Sequence, residues 1–228
     1  MSRSSPPRST GPARAGFRTP GVLLIRHGLS EWNAAAKWQG WADIDLAPEG
    51  VVQARTAAVQ LRSWPQSVPV RVVVSDLVRA QQTAAPIVRA LQAAEPRIDA
   101  GFRERGVGEW SGKTTDEIET LWPGMLESWK EGRITQLPGG EDEDGFRTRV
   151  RASLEAACIE ARADKCAIVV VSHGGVIRTL ERMYNVATQP VGNLGGRWFF
   201  MVGGEIRGGG RVNLKGASLN HKSSGTML

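Results

Sequence analysis

The chain contains three histidines, and two of them share one local pattern. His27 and His173 each follow a short apolar run and precede a glycine, whereas His221 lies near the carboxyl terminus without such a setting. Short continuous apolar runs are typical of strands buried on both faces of a parallel sheet. One histidine in such a place is more often structural than chemical, but two with the same strand–His–Gly pattern indicate a shared chemical role.

Two arginines accompany these histidines. Arg26 directly precedes His27, and Arg79 lies early in the helix predicted after a second apolar run. The planar guanidinium group matches the oxygens of a phosphate and keeps its charge. Gly28 would let the backbone approach a bound anion, and a helix beginning there would add amide donors. The alternative for Arg79 is a solvated helix face shared with Arg89, but its position at a strand end favours anion binding.

These residue types suit the transfer of a phosphoryl group. A neutral imidazole held in the correct tautomer attacks phosphorus, and fixed cations stabilise the transferring group. Loss of an alkoxide also needs a proton donor, for which Glu104 and Glu109 are both candidates; the residue types do not choose between them. Cys158 and Cys166 match no zinc-binding spacing, and we expect them to be reduced. Neither a metal nor another cofactor is predicted.

Apolar runs alternate with helical patterns along the chain, which predicts an α/β fold. We expect a three-layer α/β/α sandwich around a mostly parallel central sheet. Ligands of such sheets bind beyond the carboxyl ends of the strands, where both histidines are placed. RWFFMV is predicted to be a further strand, and the segment 203–210 to be a glycine-rich turn.

The ends of the chain differ in composition from its middle. Residues 1–20 are rich in Ser, Pro, Gly and Arg, and their four arginines supply +4 of the net charge of +6. We interpret them as a disordered basic tail, although a transit peptide has a similar composition. A single domain is expected over 21–216, with a cap region around 105–145, followed by a loose tail over 217–228.

Four segments of the chain, in this order, resemble the signature blocks of the histidine phosphatase (phosphoglycerate mutase-like) superfamily. The blocks are LLIRHGLSEWN, SDLVRAQQTA, FRERGVGEWSG and VVVSHGGVIRTL. The segment QGWADIDLAPEGVVQA fits the connecting block, so the similarity covers about Val22 to Val186. One such block is a weak signal, whereas four in order are specific.

The resemblance implies a role for each matching residue. It implies phosphorylation of His27, phosphate binding by Arg26, Arg79 and His173, and acid/base catalysis by Glu104 rather than Glu109. The predicted catalytic residues are therefore His27, Glu104, Arg26, Arg79 and His173. The predicted substrate-binding residues are Arg26, Gly28, Ser30, Asn33, Gln39, Arg79, His173 and Gly174.

Two positions depart from the family's pattern. Leu29 stands where Glu or Gln is usual, so a peripheral polar contact is missing, and Asp142 replaces a common Ser. Both changes bear on the substrate more than on the reaction.

The same resemblance leaves two activities open, because phosphatases and cofactor-dependent phosphoglycerate mutases share the phosphohistidine step. Mutases of the family have a longer segment between the glutamate and the second histidine, and a Glu-Arg-His-Tyr stretch that reads Glu-Arg-Gly-Val here. The short segment also holds the acidic run 141–144, interpreted as a solvated face or an anion cluster at a helix start. These features favour hydrolysis of a small phosphorylated metabolite, with the mutase as the alternative.

Other functional classes are less consistent with the residues. A phosphate-binding scaffold without activity would not require His27 and Glu104, and both are present. Beyond residue 20 the charge is only slightly positive, so we expect no nucleic-acid partner. There is no uninterrupted apolar run of about eighteen residues, so no membrane partner is expected. A cytoplasmic location is predicted, and a homodimer is retained as the candidate assembly.

Overall fold

The computed structural model describes residues 16–216. The strands are β1 (Gly21–Arg26), β2 (Val70–Val74), β3 (Arg97–Ile98), β4 (Ala167–Ser172), β5 (Gly195–Val202) and β6 (Glu205–Asn213). The helices are α1 (Glu31–Ala34), α2 (Pro48–Ser63), α3 (Val78–Leu91), α4 (Thr115–Leu121), α5 (Met125–Lys130), α6 (Glu143–Ala163) and α7 (Gly174–Met183). Two short 3₁₀ turns lie at Ala100–Phe102 and Gly108–Trp110.

The six strands form one sheet in the order β3-β2-β4-β1-β5-β6. The strands from β3 to β1 are parallel, and β5 and β6 run antiparallel at one edge. The central strands β1 and β4 read as continuous apolar runs because helices cover both faces of the sheet there. The prediction of a mostly parallel α/β sheet is confirmed.

Two layers of helices enclose the sheet. Alternate residues of β1, β2 and β4 pack against α2 and α3 on one face, as in the cluster around Leu23, Ala58 and Ile87. The intervening residues pack against α6 and α7 on the other face, as in the cluster around Leu24, Leu154 and Ile177. The three-layer arrangement follows from this alternation, because successive side chains of a strand point to opposite faces.

The glycine-rich segment near the end of the chain differs from the prediction. Only Gly203 and Gly204 form the turn, with φ of +62° and +87°, and residues 205–213 form β6. The later glycines allow close packing of β6 against neighbouring side chains. A Cβ on Gly209 would lie 2.5 Å from the ring of Phe200 and one on Gly208 would lie 2.5 Å from Val186. The prediction of a turn through residue 210 is therefore wrong.

The amino-terminal boundary of the domain also requires correction. Phe17 belongs to the predicted tail, yet it is fully buried and packs against Trp64 and Trp198. Its N–H donates to the carbonyl of Pro65 and its carbonyl accepts from the N–H of Ser67, both at 2.8 Å. A tail that extends to residue 20 is wrong for residues 16–20. Residues 1–15, and the predicted tail over 217–228, lie outside the described residues.

The helices α4 and α5 form a side wall with a small core of its own. Trp38, Trp110 and Trp129 lie edge to face, with ring centroids 5.3 to 6.0 Å apart. Trp110 is fully buried, so it packs the wall rather than lining an open pocket. Between residues 16 and 216, no helix combines the length and the apolar character needed to cross a membrane.

Candidate active site

Three neighbouring parallel strands end at the carboxyl edge of the sheet, and a polar residue directly follows each of them. Ser75 follows β2, His173 follows β4 and His27 follows β1, and these strands are adjacent in the order β2-β4-β1. Backbone hydrogen bonds continue the register past the strand ends, from the N–H of Ser75 to Val171 and from the N–H of His27 to Ser172. The two imidazole rings are consequently close, with centroids 5.2 Å apart.

His27 is held as a neutral imidazole with one defined tautomer. Its Nδ1 lies 2.6 Å from the carbonyl oxygen of Gly28. A carbonyl only accepts, so Nδ1 carries the hydrogen and the lone pair of Nε2 is free. Burial holds the pKa of His27 well below its usual value, and the charges of Arg79 and Arg26 lower it further. This is the state that a phosphorus nucleophile requires.

His173 is also neutral, and Ser75 defines its orientation. Its Nε2 lies 2.8 Å from Oγ of Ser75, which in turn accepts a hydrogen bond from the N–H of Leu77 at 3.4 Å. When the hydroxyl hydrogen is donated to Nε2, the ring carries its own hydrogen on Nδ1. Burial, followed by the charge of Arg79, holds the pKa of His173 well below its usual value. Nδ1 of His173 is buried and has no partner.

The terminal nitrogens of Arg79 are fixed by backbone carbonyls. Nη1 donates to Ala42 at 2.7 Å and Nη2 donates to Gly40 at 2.8 Å. The side chain is 1% exposed, which rules out the solvated helix face considered for it. Burial lowers its pKa to about 10, so the guanidinium remains charged at neutral pH.

Arg26 is fixed in a similar way. Its Nη1 donates to the carbonyl of Val191 at 2.8 Å and its Nη2 donates to Oδ1 of Asn33 at 3.3 Å. Burial lowers its pKa to about 10, against the raising effect of the Glu104 carboxylate. The predicted residue Asn33 thus contacts the site through Arg26.

Three buried side-chain nitrogens in this region have no protein partner. They are Nε of Arg26, Nε of Arg79 and Nδ1 of His173. The third is a donor when Ser75 donates to the other ring nitrogen of its histidine. Buried donors are rarely left without acceptors, because each carries a desolvation cost of about 1–3 kcal/mol. All three belong to residues near His27: the ring of His173 lies 5.2 Å from its ring, and the charges of Arg26 and Arg79 lower its pKa. An anion with several oxygens would satisfy them together, so the cluster has the chemistry of a phosphate cradle.

The structure places Glu104 beside this cradle. Its Oε2 accepts from the N–H of Gly175 at 3.0 Å, in the first turn of α7, and its Oε1 accepts from the N–H of Arg105 at 2.9 Å. A Cβ on Gly175 would lie 2.2 Å from Oε1 of Glu104, so only glycine leaves room for this carboxylate. Glu109 is exposed in the second 3₁₀ turn. Of the two candidates that residue types alone left open, Glu104 lies next to the histidines.

Two side chains that the sequence did not single out position the Glu104 backbone. Its carbonyl accepts from Nε1 of Trp41 at 2.7 Å and from Nη2 of Arg149 at 2.9 Å. Arg149 is itself paired with Glu141 at 2.6 Å. Trp41 lies in the segment that fits the connecting block, without a predicted role there, and no local signal in the sequence distinguishes Arg149.

Other predicted substrate-binding residues mainly contact each other. Ser30 is fully buried, donates to Oε1 of Gln39 at 2.9 Å and caps α1 by accepting from the N–H of Asn33. The N–H of Gly28 donates to Thr83 at 3.0 Å instead of remaining free for an anion.

The two predicted glycines lie at points of close packing. A Cβ on Gly28 would approach the carbonyl of Gly50 to 2.7 Å. Gly174 is the first residue of α7, and its missing side chain leaves space beside Arg26. Gly28 therefore permits close packing against α2, and its amide is already used.

The described residues offer no obvious metal-binding cluster. Within residues 16–216, no group of three or more His, Cys, Asp or Glu side chains is arranged to hold an ion. Cys158 and Cys166 are both buried and free, and burial raises the pKa of Cys158 to about 12. Positive charge at the cradle comes from Arg26 and Arg79.

Residues 22–190 match the profile of the histidine phosphatase superfamily (branch 1). The chain belongs to this superfamily. The resemblance seen in the four sequence blocks is thereby confirmed.

Relatives within the superfamily include both phosphatases and phosphoglycerate mutases. The chain is 32% identical to a glucosyl-3-phosphoglycerate phosphatase of Mycobacterium tuberculosis over 171 residues, which are 72% of this chain and 75% of that protein. It is 30% identical to a 2,3-bisphosphoglycerate-dependent phosphoglycerate mutase of Methylobacterium radiotolerans over 171 residues, 74% and 80% of the two chains.

A solved structure gives the same relationship in three dimensions. A mycobacterial glucosyl-3-phosphoglycerate phosphatase, in complex with VO3, superposes with a TM-score of 0.72 at 26% identity. The match covers 83% of this chain and 96% of that protein. The expected class, a histidine phosphatase-type enzyme, agrees with these relatives.

Proposed function

We propose that the protein hydrolyses phosphomonoesters through a phosphohistidine intermediate on His27. The observation that carries this proposal is the set of three unpartnered buried nitrogens, from Arg26, Arg79 and His173, near the neutral imidazole of His27, whose Nδ1 is held by the carbonyl of Gly28. A tetrahedral phosphoryl group would supply acceptors for all three nitrogens and an electrophile for Nε2 of His27.

The first step transfers the phosphoryl group to the protein. Nε2 of His27 forms a bond to phosphorus while the bond between phosphorus and the ester oxygen breaks. Glu104 donates a proton to the departing oxygen, which leaves as an alcohol. The two arginines and Nδ1–H of His173 stabilise the charge on the phosphoryl oxygens.

The second step releases phosphate. The Glu104 carboxylate takes a proton from water as the water oxygen attacks phosphorus, and the bond from phosphorus to Nε2 breaks. Inorganic phosphate leaves, and both His27 and Glu104 return to their initial states. The position of Glu104 at the start of α7, beside His173, supports one carboxyl group for both proton transfers.

Hydrolysis is favoured over mutase activity by the organisation of the side wall. The acidic run engages the protein itself: Glu141 pairs with Arg149, Glu143 with Arg105, and Asp142 caps α6. Asp142 thereby performs the capping that a serine would perform at this position. The run belongs to the framework around Glu104, and the short wall adds little basic surface for a bisphosphate. A phosphoglycerate mutase remains the alternative because relatives of that name match the chain.

The non-enzymatic alternative is a scaffold that binds phosphate without turnover.

We further propose that the substrate is a small phosphorylated metabolite and that the protein acts in the cytoplasm as a homodimer. The two buried free thiols support a reducing compartment.

Trapping the intermediate tests the mechanism. Brief incubation with a labelled phosphomonoester, followed by alkaline quenching, should leave an acid-labile phosphoryl group on His27, and His27→Ala should abolish both label and turnover. Label on a serine or an aspartate would contradict the mechanism, and binding of phosphate without any label would favour the scaffold. A panel of esters assayed with and without 2,3-bisphosphoglycerate separates hydrolysis from mutase activity.

A further inference from the structure

Three charged side chains that the proposed reaction does not use form one group beside the end of α7. Glu181 is fully buried and accepts hydrogen bonds from Arg197 of β5 and Arg211 of β6. Nε of Arg197 lies 2.6 Å from Oε1 of this carboxylate, and Nη2 of Arg211 lies 2.7 Å from Oε2. Two guanidinium groups thus share one carboxylate.

Both arginines also donate to the segment that follows α7. Nη2 of Arg197 donates to the carbonyl of Ala187 at 2.9 Å, and Nη2 of Arg211 donates to the carbonyl of Gln189 at 2.8 Å. Hydrogen bonds from charged donors are stronger than those from neutral ones. Residues 187–190 are exposed, and among the described residues they take part in no backbone–backbone hydrogen bond. Their conformation therefore depends mainly on the two arginines.

The same segment reaches the cradle one residue later. The carbonyl of Val191 accepts from Nη1 of Arg26 at 2.8 Å, which is the shorter of the two hydrogen bonds that orient this guanidinium group. The side chain of Asn193 donates to the carbonyl of His27 at 3.0 Å. Residues 187–193 therefore connect the buried group of charges to two residues of the cradle.

We propose that Arg211 is a positioning residue, which holds Arg26 in its phosphate-binding orientation through the backbone of residues 187–191. This inference rests on the proposed function of the cradle. Nε of Arg26 has no protein partner and is available to an oxygen of the phosphoryl group. Its direction depends on where Nη1 is held, because a guanidinium group is planar and rigid. A shift of the Val191 carbonyl would turn Nε away from the anion.

Arg211 is the member of the charged group that can be changed most selectively. Its side chain is 27% exposed, compared with 9% for Arg197, and Glu181 keeps Arg197 as a partner when Arg211 is replaced. The acceptor of Arg211, the carbonyl of Gln189, lies only two residues before Val191. Its replacement should therefore disturb the segment while the buried carboxylate remains paired.

Titration of the Arg26 Nε–H resonance with inorganic phosphate, on the full chain, tests the proposal. The resonance is assigned by its loss in Arg26→Lys, and its shift measures the Kd of phosphate without turnover. We expect Arg211→Met to move the resonance of the free protein and to weaken phosphate binding about three- to tenfold, as for the loss of one hydrogen bond. Arg207→Met, which removes an exposed pair with Glu205 on the same strand, is the control and should match wild type.

A purely structural role for Arg211 predicts a different result. The variant would then unfold at lower urea concentration but keep the wild-type Arg26 resonance and phosphate Kd, which would overturn the positioning role. An equal change in Arg207→Met would overturn it too. If wild type binds phosphate in a way that depends on Arg211 yet hydrolyses no ester, the positioning role is supported and the hydrolysis is refuted. A wild-type Arg26 resonance that does not respond to phosphate would overturn the cradle itself, and the positioning role with it.

Discussion

The hydroxyl oxygen of Ser75 lies 2.8 Å from Nε2 of His173, and both side chains are fully buried. The two residues follow adjacent parallel strands, β2 and β4, whose carboxyl ends meet at the same edge of the sheet. We infer that this hydroxyl donates to Nε2, which leaves the hydrogen of the ring on Nδ1, the nitrogen without a protein partner. Ser75 is therefore a positioning residue, which acts through the tautomer of His173.

Removing the Ser75 hydroxyl should remove the hydrogen bond that selects the tautomer of His173. We expect Ser75→Ala to lower the single-turnover phosphorylation rate about tenfold, the effect of one buried hydrogen bond, and Ser75→Thr to restore most of it. Nitrogen-15 NMR should show His173 with its hydrogen on Nδ1 in wild type and a mixture of tautomers in Ser75→Ala. An unchanged tautomer together with a lower rate would mean that Ser75 acts in another way.

Glu104→Gln should affect esters according to their leaving groups. An alkyl phosphate loses a poor alkoxide and needs a proton donor, so its phosphorylation step should slow by about 10²–10⁴-fold. An aryl phosphate that leaves as a stable phenolate should lose much less, and single-turnover measurements isolate this step. Arg79→Ala, which alters the binding of the phosphoryl group itself, should slow both esters similarly.

Glu109→Gln is the matched control for that experiment. Its carboxylate is exposed in the second 3₁₀ turn, so we expect activity close to wild type. Equal losses for the two esters in Glu104→Gln would assign Glu104 to positioning and not to proton donation.

Chelators should have little effect on the reaction. The positive charge at the cradle comes from Arg26 and Arg79, so EDTA should change activity less than about twofold. Activity that disappears in EDTA and returns with zinc or magnesium would require a different mechanism.

Acid should weaken the fold through the two buried histidines. Their pKa values in the folded protein lie well below the ordinary value of 6.5, so the unfolded chain takes up more protons as the pH falls below that value. The contribution of the two histidines to the free energy of unfolding is complete above about pH 7 and decreases toward acid. The free energy of unfolding should therefore fall by roughly 2–3 kcal/mol between about pH 7.5 and 5.5 for the two groups together. Urea unfolding at the two pH values measures this change. A His27→Asn/His173→Asn variant should show a much flatter dependence.

A buried ionic cluster lies away from the cradle. We expect it to contribute to the free energy of unfolding. Glu181 of α7 is fully buried and pairs with Arg197 of β5 at 2.6 Å and with Arg211 of β6 at 2.7 Å. Glu181→Gln leaves two guanidinium groups without their anion, and we expect a loss of about 3–5 kcal/mol in the free energy of unfolding.

The antiparallel edge of the sheet offers a matched control for this change. Glu205 pairs with Arg207 at 3.3 Å, and both side chains are largely exposed. We expect Glu205→Gln to cost less than about 1 kcal/mol in the same urea titration. Similar losses for the two variants would contradict the importance of burial at Glu181.

The sequence alone predicted the frame of this site. Strand–His–Gly patterns at His27 and His173 placed both residues at the carboxyl edge of a parallel sheet, because continuous apolar runs are a local property that determines where buried strands end. The same reasoning placed Arg26 and Arg79 there. The order of the four sequence blocks indicated the family, and the profile match confirmed it.

Features that depend on distant parts of the chain required the tertiary structure. Phe17 has no periodic neighbours in the sequence, so its burial against Trp64 and Trp198 could not be inferred. Ser75 directly follows an apolar run, but its contact with His173 depends on how separate strands pack, and Arg149 carries no local signal. A sequence determines which segments become strands and helices through short-range periodicity. The partner of each buried polar group is decided only when those elements meet, because hydrogen bonds and ion pairs require specific distances between residues far apart in the chain.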